Sequence, residues 1–165
     1  MKGVRKRTLA LIEEIPPDRH NWRLEAGSMS PAHVIHHIAA TEKALWGIAL
    51  SNHGKPAKVD DYPDEVPDDE SMPRALAYMA LVRAENSSWW QALTDEELDA
   101  EITGPTGRAM VLRRWLMLAP EHEIHHRGIL HAYRKLWGME TVPLYDQTLE
   151  TLRANLDKLH GESPS

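Results

Sequence analysis

The chain contains no cysteine and no phenylalanine, and no apolar run in it approaches the roughly 20 residues that span a bilayer. Each absence excludes something. Without cysteine there is no disulfide framework, no thiolate nucleophile and no sulfur ligand, so any metal must be held by histidine or a carboxylate. Without phenylalanine, the six tryptophans are the natural source of aromatic bulk in a core. The lack of a long apolar run predicts a chain that does not insert in a membrane. The stretch Leu9 to Ile12 behind the basic Lys2, Arg5, Lys6 and Arg7 is cut off by Glu13 and Glu14, too short for the apolar core of a secretion signal. A cytoplasmic location is the resulting expectation. Excess positive charge is missing too. A formal charge of −6 argues against wrapping a nucleic-acid backbone, which requires a concentrated basic face.

What is present is a globular composition, 42% hydrophobic and 27% charged over 165 residues, enough for one domain to bury a sizeable core. A single domain over 1–165 is expected. Histidine is abundant, with ten in all, and eight of them (33, 36, 37, 53, 122, 125, 126 and 131) lie in or near two segments.

The pattern along the chain is helical. Val4, Leu9, Leu11, Ile12 and Ile15 form a stripe that predicts a first helix over 2–15, stopped by Pro16 and Pro17. After a connector, Ser30-Pro31 is a helix start, a serine cap followed by proline where a missing N–H costs nothing, and a second helix runs from there to Asn52. Residues 55–70 hold three prolines among Asp60, Asp61, Asp64, Glu65, Asp68, Asp69 and Glu70, which read as a solvated crossover loop long enough to break simple up-down alternation. A third helix is expected from Ser71 to Leu93, and Thr94 with Glu97 has the spacing of a capping box for a short extra helix. Gly104, Pro105 and Gly107 mark a turn or small hairpin within 101–110. A fourth helix is expected over 111–137, kinked by Pro120 and stopped at Gly138, then a last one over 145–159 and a flexible tail at 161–165. The fold class is therefore all-α, a four-helix bundle with short additional helices.

His122 and His126 are four apart, so one helix can aim both imidazoles at one point. Two ligands make half a site. A structural zinc site closes with four protein ligands, whereas a catalytic one uses three and keeps a position for water or substrate. The partner must come from another helix, and helix two offers His33, His36 and His37. The literal H-E-x-x-H in His122-Glu123-Ile124-His125-His126 also matches a zinc-protease pattern, with the same two ligands and Glu123 as general base.

The segments Asp18 to Leu24, Gly27-Ser28-Met29-Ser30 and His36-His37-Ile38-Ala39-Ala40-Thr41-Glu42, together with the H-x-x-H-H-R-G pattern of His122 to Gly128, resemble the DinB family of DinB/YfiT-like metalloenzymes. The resemblance covers nearly the whole chain. It implies a four-helix bundle of up-down-down-up connectivity with a three-histidine metal site open on one side, and it assigns His37, His122 and His126 as the ligands. The family often has glutamine after Arg-Gly, where this chain has Ile129. Within the family are transferases that use a low-molecular-weight thiol, and a related thiol-dependent maleylpyruvate isomerase. The expectation is thus a metal-dependent enzyme that activates a small thiol or water for a small-molecule substrate, with metal-dependent hydrolysis and a non-catalytic module with a structural metal as alternatives. Three imidazoles suit Zn²⁺ or Ni²⁺ best.

Around that site, His33 is a candidate fourth ligand or a satisfied histidine, and His36 and His125 are expected to pack or face solvent. Glu42 is either a support for a ligand's ring N–H or a partner of Arg127 or Lys43. Trp22 and Trp46 either fill the core or line the mouth of the site. Apolar bundle faces allow a homodimer.

Overall fold

The computed structural model describes residues 2–52, 66–140 and 149–161. Most of the crossover loop, the start expected for the last helix at Tyr145, and the tail beyond 161 lie outside these residues. Helices α1 (Lys2–Glu13), α2 (Pro31–Asn52), α3 (Met72–Ala92), α4 (Asp95–Asp99), α5 (Leu112–Leu116), α6 (Leu118–Leu136) and α7 (Leu149–Gly161) follow in order. A two-stranded antiparallel hairpin, β1 (Glu101–Thr103) with β2 (Ala109–Val111), sits between α4 and α5.

Local chemistry sets the boundaries. Helix α1 ends two residues before the expected Ile15, because Pro16 disfavours the helical conformation for the residue that precedes it. The Ser30 hydroxyl accepts from the His33 N–H at 3.3 Å, capping α2 ahead of Pro31. Ser71 caps α3 through Arg74 N–H, and Thr94 and Glu97 form the reciprocal capping box of α4. The fourth expected helix is not one kinked helix but two. The break falls at Met117, and Pro120 lies in the first turn of α6, where backbone N–H groups have no intrahelical partner to lose. Proline here begins a helix rather than bending one. At the far end Gly138 takes a positive φ of 74°, with its N–H on Lys135 O and Met139 N–H on Arg134 O, the two bonds of a Schellman stop.

Side-chain contacts fix the helix directions. Going down α2, Met29 O accepts from Tyr133 Oη, His37 meets His122, and Leu45 O accepts from Trp115 Nε1 at 2.8 Å, so α2 runs antiparallel to α5 and α6. Val4 and Glu14 of α1 and its C-terminal side bond to Arg127 and Arg134, so α1 and α6 are parallel. His36 stacks on Tyr78 while Glu42 bonds Arg83 and Asn86, so α2 and α3 are parallel. Helices α1, α2, α3 and α6 therefore form an up-down-down-up four-helix bundle. One apolar cluster (Leu11, Ile35, Ile38, Met79, Val82 and Leu130 among others) fills the end near the α1–α2 connection, and a second (Trp46, Ile102, Leu112, Trp115, Leu116) seals the end beneath the hairpin. The polar groups described next lie between α2 and α6 and at the bundle centre. No described helix is long and apolar enough to cross a membrane.

Candidate metal centre

Antiparallel docking of α2 on α6 brings together the three histidines singled out in the sequence. One ring nitrogen from each of His37, His122 and His126 lies within 4.8 Å of the others. The Nε2 atoms of His37 and His122 are 3.1 Å apart, and the ring centroids are separated by 4.9 Å (His37–His122), 4.6 Å (His37–His126) and 4.3 Å (His122–His126). For comparison, Zn–N bonds of about 2.0–2.1 Å in a tetrahedron place ligand nitrogens about 3.3 Å apart.

Electrostatics points the same way. Burial pushes the pKa of His122 down to about 4, helped by the adjacent His37 and His125, and burial with His122 and His37 does the same to His126, again to about 4. Both rings are thus neutral at pH 7, with lone pairs ready to donate, and metal uptake need not displace their protons. Among the described residues, Nδ1 of His126 is buried with no hydrogen-bond partner, a cost of about 1–3 kcal/mol that coordination at that nitrogen would offset. The donor set and the spacing fit a divalent transition metal.

The other candidates are accounted for differently. His33 stands outside the cluster: its Nε2 accepts from Arg23 Nη2 at 2.9 Å and its Nδ1 bonds the Ser30 hydroxyl at 2.6 Å. It is a satisfied core histidine, not a fourth member of the group. His36 is buried, with Nδ1 hydrogen-bonded to Glu70, and His125 is exposed. Glu70 itself is a correction, since the acidic run was expected to be solvated throughout, yet Glu70 is only 2% exposed. Its second oxygen accepts the N–H of Ser71, so one carboxylate both pairs with His36 and anchors the start of α3. Trp46 is buried in the second apolar cluster, and Trp22 packs edge-on against Tyr133 and Trp137, so both serve packing.

The two carboxylates near these histidines in sequence are also engaged. Glu123, the base of the protease reading, takes Arg5 Nε on both its oxygens at 3.0 and 3.2 Å. Glu42 accepts from Arg5 Nη2 at 2.7 Å, and from Arg83 Nη1 and Asn86 Nδ2 at 3.3 and 3.4 Å. Arg127 is buried and donates to Val4 O. Sequence reasoning missed Arg5, which it grouped with the exposed basic N-terminus. The available signal was its helical position, three residues before buried Thr8 and seven before buried Ile12, on the inward stripe of α1.

Comparison with known proteins gives a consistent picture. The family model of the DinB superfamily matches residues 1–130. The chain is 30% identical over 145 residues to the uncharacterized protein YjoA of Bacillus subtilis, an alignment covering 86% of this chain and 89% of that protein. The crystal structure of YjoA, described as DinB-like, superposes with a TM-score of 0.64 at 27% identity, covering 88% and 94% of the two chains. YfiT of Bacillus subtilis, described as a probable metal-dependent hydrolase with an unusual four-helix bundle topology, superposes at 0.62 with 16% identity over 83% of each chain, a likeness of fold.

Proposed function

The chain belongs to the DinB superfamily, and from that premise we propose that it is a metal-dependent enzyme whose His37, His122 and His126 hold one divalent ion, Zn²⁺ or Ni²⁺, and present it to a small thiol cosubstrate. The observation that carries this reading is the convergence of three ring nitrogens within 4.8 Å, two of them on imidazoles kept neutral by burial. A divalent ion held by neutral imidazoles supplies Lewis acidity that favours deprotonation of a thiol or of water.

The chain's own residues favour the thiol. Glu42 and Glu123 are both ion-paired to Arg5, so their oxygens are already engaged. A nucleophile that ionises readily suits such a site, and a thiol ionises near 8.5 against about 15.7 for water. The chain has no cysteine, so the thiol would come from a second substrate. Among the described residues three histidines form the group, and they would hold the ion from two helices with coordination positions left for substrate.

Metal-dependent hydrolysis is the second reading, favoured by the description of YfiT. One experiment separates them. Zinc- or nickel-loaded protein is assayed with small thiols plus electrophiles, and in parallel with ester and amide substrates. The thiol reading expects metal-dependent loss of free thiol with adduct formation. Hydrolysis without any thiol requirement would replace it by the second reading, and equal rates with and without metal would remove both.

A further inference from the structure

The bundle centre contains a charged knot to which all four principal helices contribute. Arg5 of α1 donates through Nη2 to Glu42 of α2 at 2.7 Å and through Nε to Glu123 of α6 at 3.0 and 3.2 Å. Arg83 and Asn86 of α3 close on the other oxygen of Glu42. Arg5, Glu42 and Glu123 are all at least nine-tenths buried. Two guanidinium charges thus face two carboxylate charges.

Stability alone is a poor explanation for such a knot. Exchanging a buried ion pair for well-packed apolar residues is often neutral or stabilising, because desolvation consumes most of the Coulombic gain. What the knot does supply is a fixed spacing. Glu42 lies five residues beyond His37 on α2, and Glu123 is the immediate neighbour of His122 on α6. The single planar fork of Arg5 therefore ties together the two helices whose separation and register bring the three histidines to one point. A slide of one helix past the other by a single residue displaces its ring by about 1.5 Å, while metal–ligand distances tolerate about 0.2 Å.

We infer that Arg5 is a positioning residue for the metal triad, holding His37 in register with His122 and His126 by clamping Glu42 and Glu123. The inference rests on the metal reading above, and deepens it by assigning α1 a part in the site. Lysine cannot replace the arginine fully, since a point charge lacks the fork that reaches two carboxylates at fixed angles.

The test uses Co²⁺ as probe, added to the full chain freed of metal, with the visible absorption of the bound ion as readout and Zn²⁺ competition for affinity. The variants are Arg5→Lys, Arg5→Met and the triple variant Arg5→Met, Glu42→Gln, Glu123→Gln, which leaves no unpaired carboxylate where Arg5→Met alone fails to fold. Wild type is expected to bind one Co²⁺ per chain. The Arg5→Met and triple variants should bind about 10- to 100-fold more weakly, the range seen when a partner outside the ligand set is lost, with an altered absorption band, and Arg5→Lys should fall between. Thermal unfolding without metal, run alongside, distinguishes a merely structural knot. If the variants bind Co²⁺ within twofold of wild type with an unchanged band, and only the unfolding temperature moves, Arg5 stabilises the bundle and does not position the site. If wild type itself takes up no stoichiometric Co²⁺, the metal reading fails, and the inference falls with its premise.

Discussion

The Nε2 atoms of His37 and His122 stand 3.1 Å apart although 85 residues separate them along the chain. Neither helix contains that contact alone. It exists because α2 and α6 pack antiparallel, and because His122 and His126, four apart on α6, offer their rings to the same face as His37.

The first prediction follows from that convergence. His37→Ala, His122→Ala and His126→Ala should each weaken divalent-metal binding by at least about 100-fold, the upper end of what loss of an outer partner causes. His33→Ala and His125→Ala should keep a full complement, since His33 is engaged by Arg23 and Ser30 and His125 is exposed. Elemental analysis after dialysis against a weak chelator gives the stoichiometry. Full metal content in any of the three ligand variants would contradict the assignment.

The bundle itself was legible in the sequence because its signals are local. Serine before proline at 30 and 31, the Thr94–Glu97 box and Gly138 each fix a boundary through nearest-neighbour chemistry. His122 and His126 were legible for the same reason, as a helical spacing. His37 was not separable from His33 and His36 by spacing, because which of three neighbouring rings meets α6 depends on how α2 rotates in the bundle, and only the family resemblance chose among them. The roles of Glu70 and Arg5 were hidden for a related reason. A charge in an acidic run or a basic terminus reads as solvated unless its partner, 34 or 37 residues away, is known.

Acidification should destabilise the fold through His33. Burial and the charge of Arg23 lower its pKa below the ordinary 6.5. The unfolded chain therefore binds a proton that the folded chain resists, so stability is complete above about pH 6.5 and declines as pH falls below it. Protonation would also convert Nε2 from an acceptor of the Arg23 bond into a second donor facing a guanidinium. His33→Gln, which can still accept from Arg23 and donate to Ser30 without titrating, should show a shallower loss of stability between pH 6.5 and 5. Chemical unfolding of both proteins across that range tests it, and parallel pH profiles would exclude His33 as the cause.

Glu70→Ala should be costly for a residue in an acidic loop. It removes the partner of the buried His36 Nδ1 and leaves the Ser71 N–H at the start of α3 without its acceptor. Two groups each losing a bond at about 1–2 kcal/mol give an expected destabilisation of about 2–4 kcal/mol. Asp69→Ala, whose exposed carboxylate meets Arg74 at the surface, should change stability by less than about 0.5 kcal/mol. Urea midpoints of the two variants give the comparison. Equal effects would mean that Glu70 is solvated after all.

Two glycines should respond to alanine with opposite signs. At Gly104 a new Cβ would lie 2.8 Å from Cζ3 and 3.2 Å from Cη2 of Trp115. That indole has little room to yield: it is 7% exposed, belongs to the second apolar cluster, and is pinned by its N–H to Leu45 O at 2.8 Å. Gly104 is itself held by its N–H on Arg108 O and its carbonyl under Gly107 N–H, so the backbone cannot retreat without opening the hairpin. Overpacking of this kind costs about 1–3 kcal/mol. A Cβ added at Gly128, exposed in the middle of α6, would meet no described atom within 4 Å beyond its chain neighbours and its own helix backbone, and alanine there should stabilise by about 0.5–1 kcal/mol through the helix propensity that glycine lacks. The change at Gly128 should also leave metal content intact, because the position faces solvent rather than the histidines. Thermal unfolding of Gly104→Ala and Gly128→Ala against wild type reads both signs at once. A stabilised Gly104→Ala would mean that Trp115 is free to move, and that the second apolar cluster is looser than its buried indole implies.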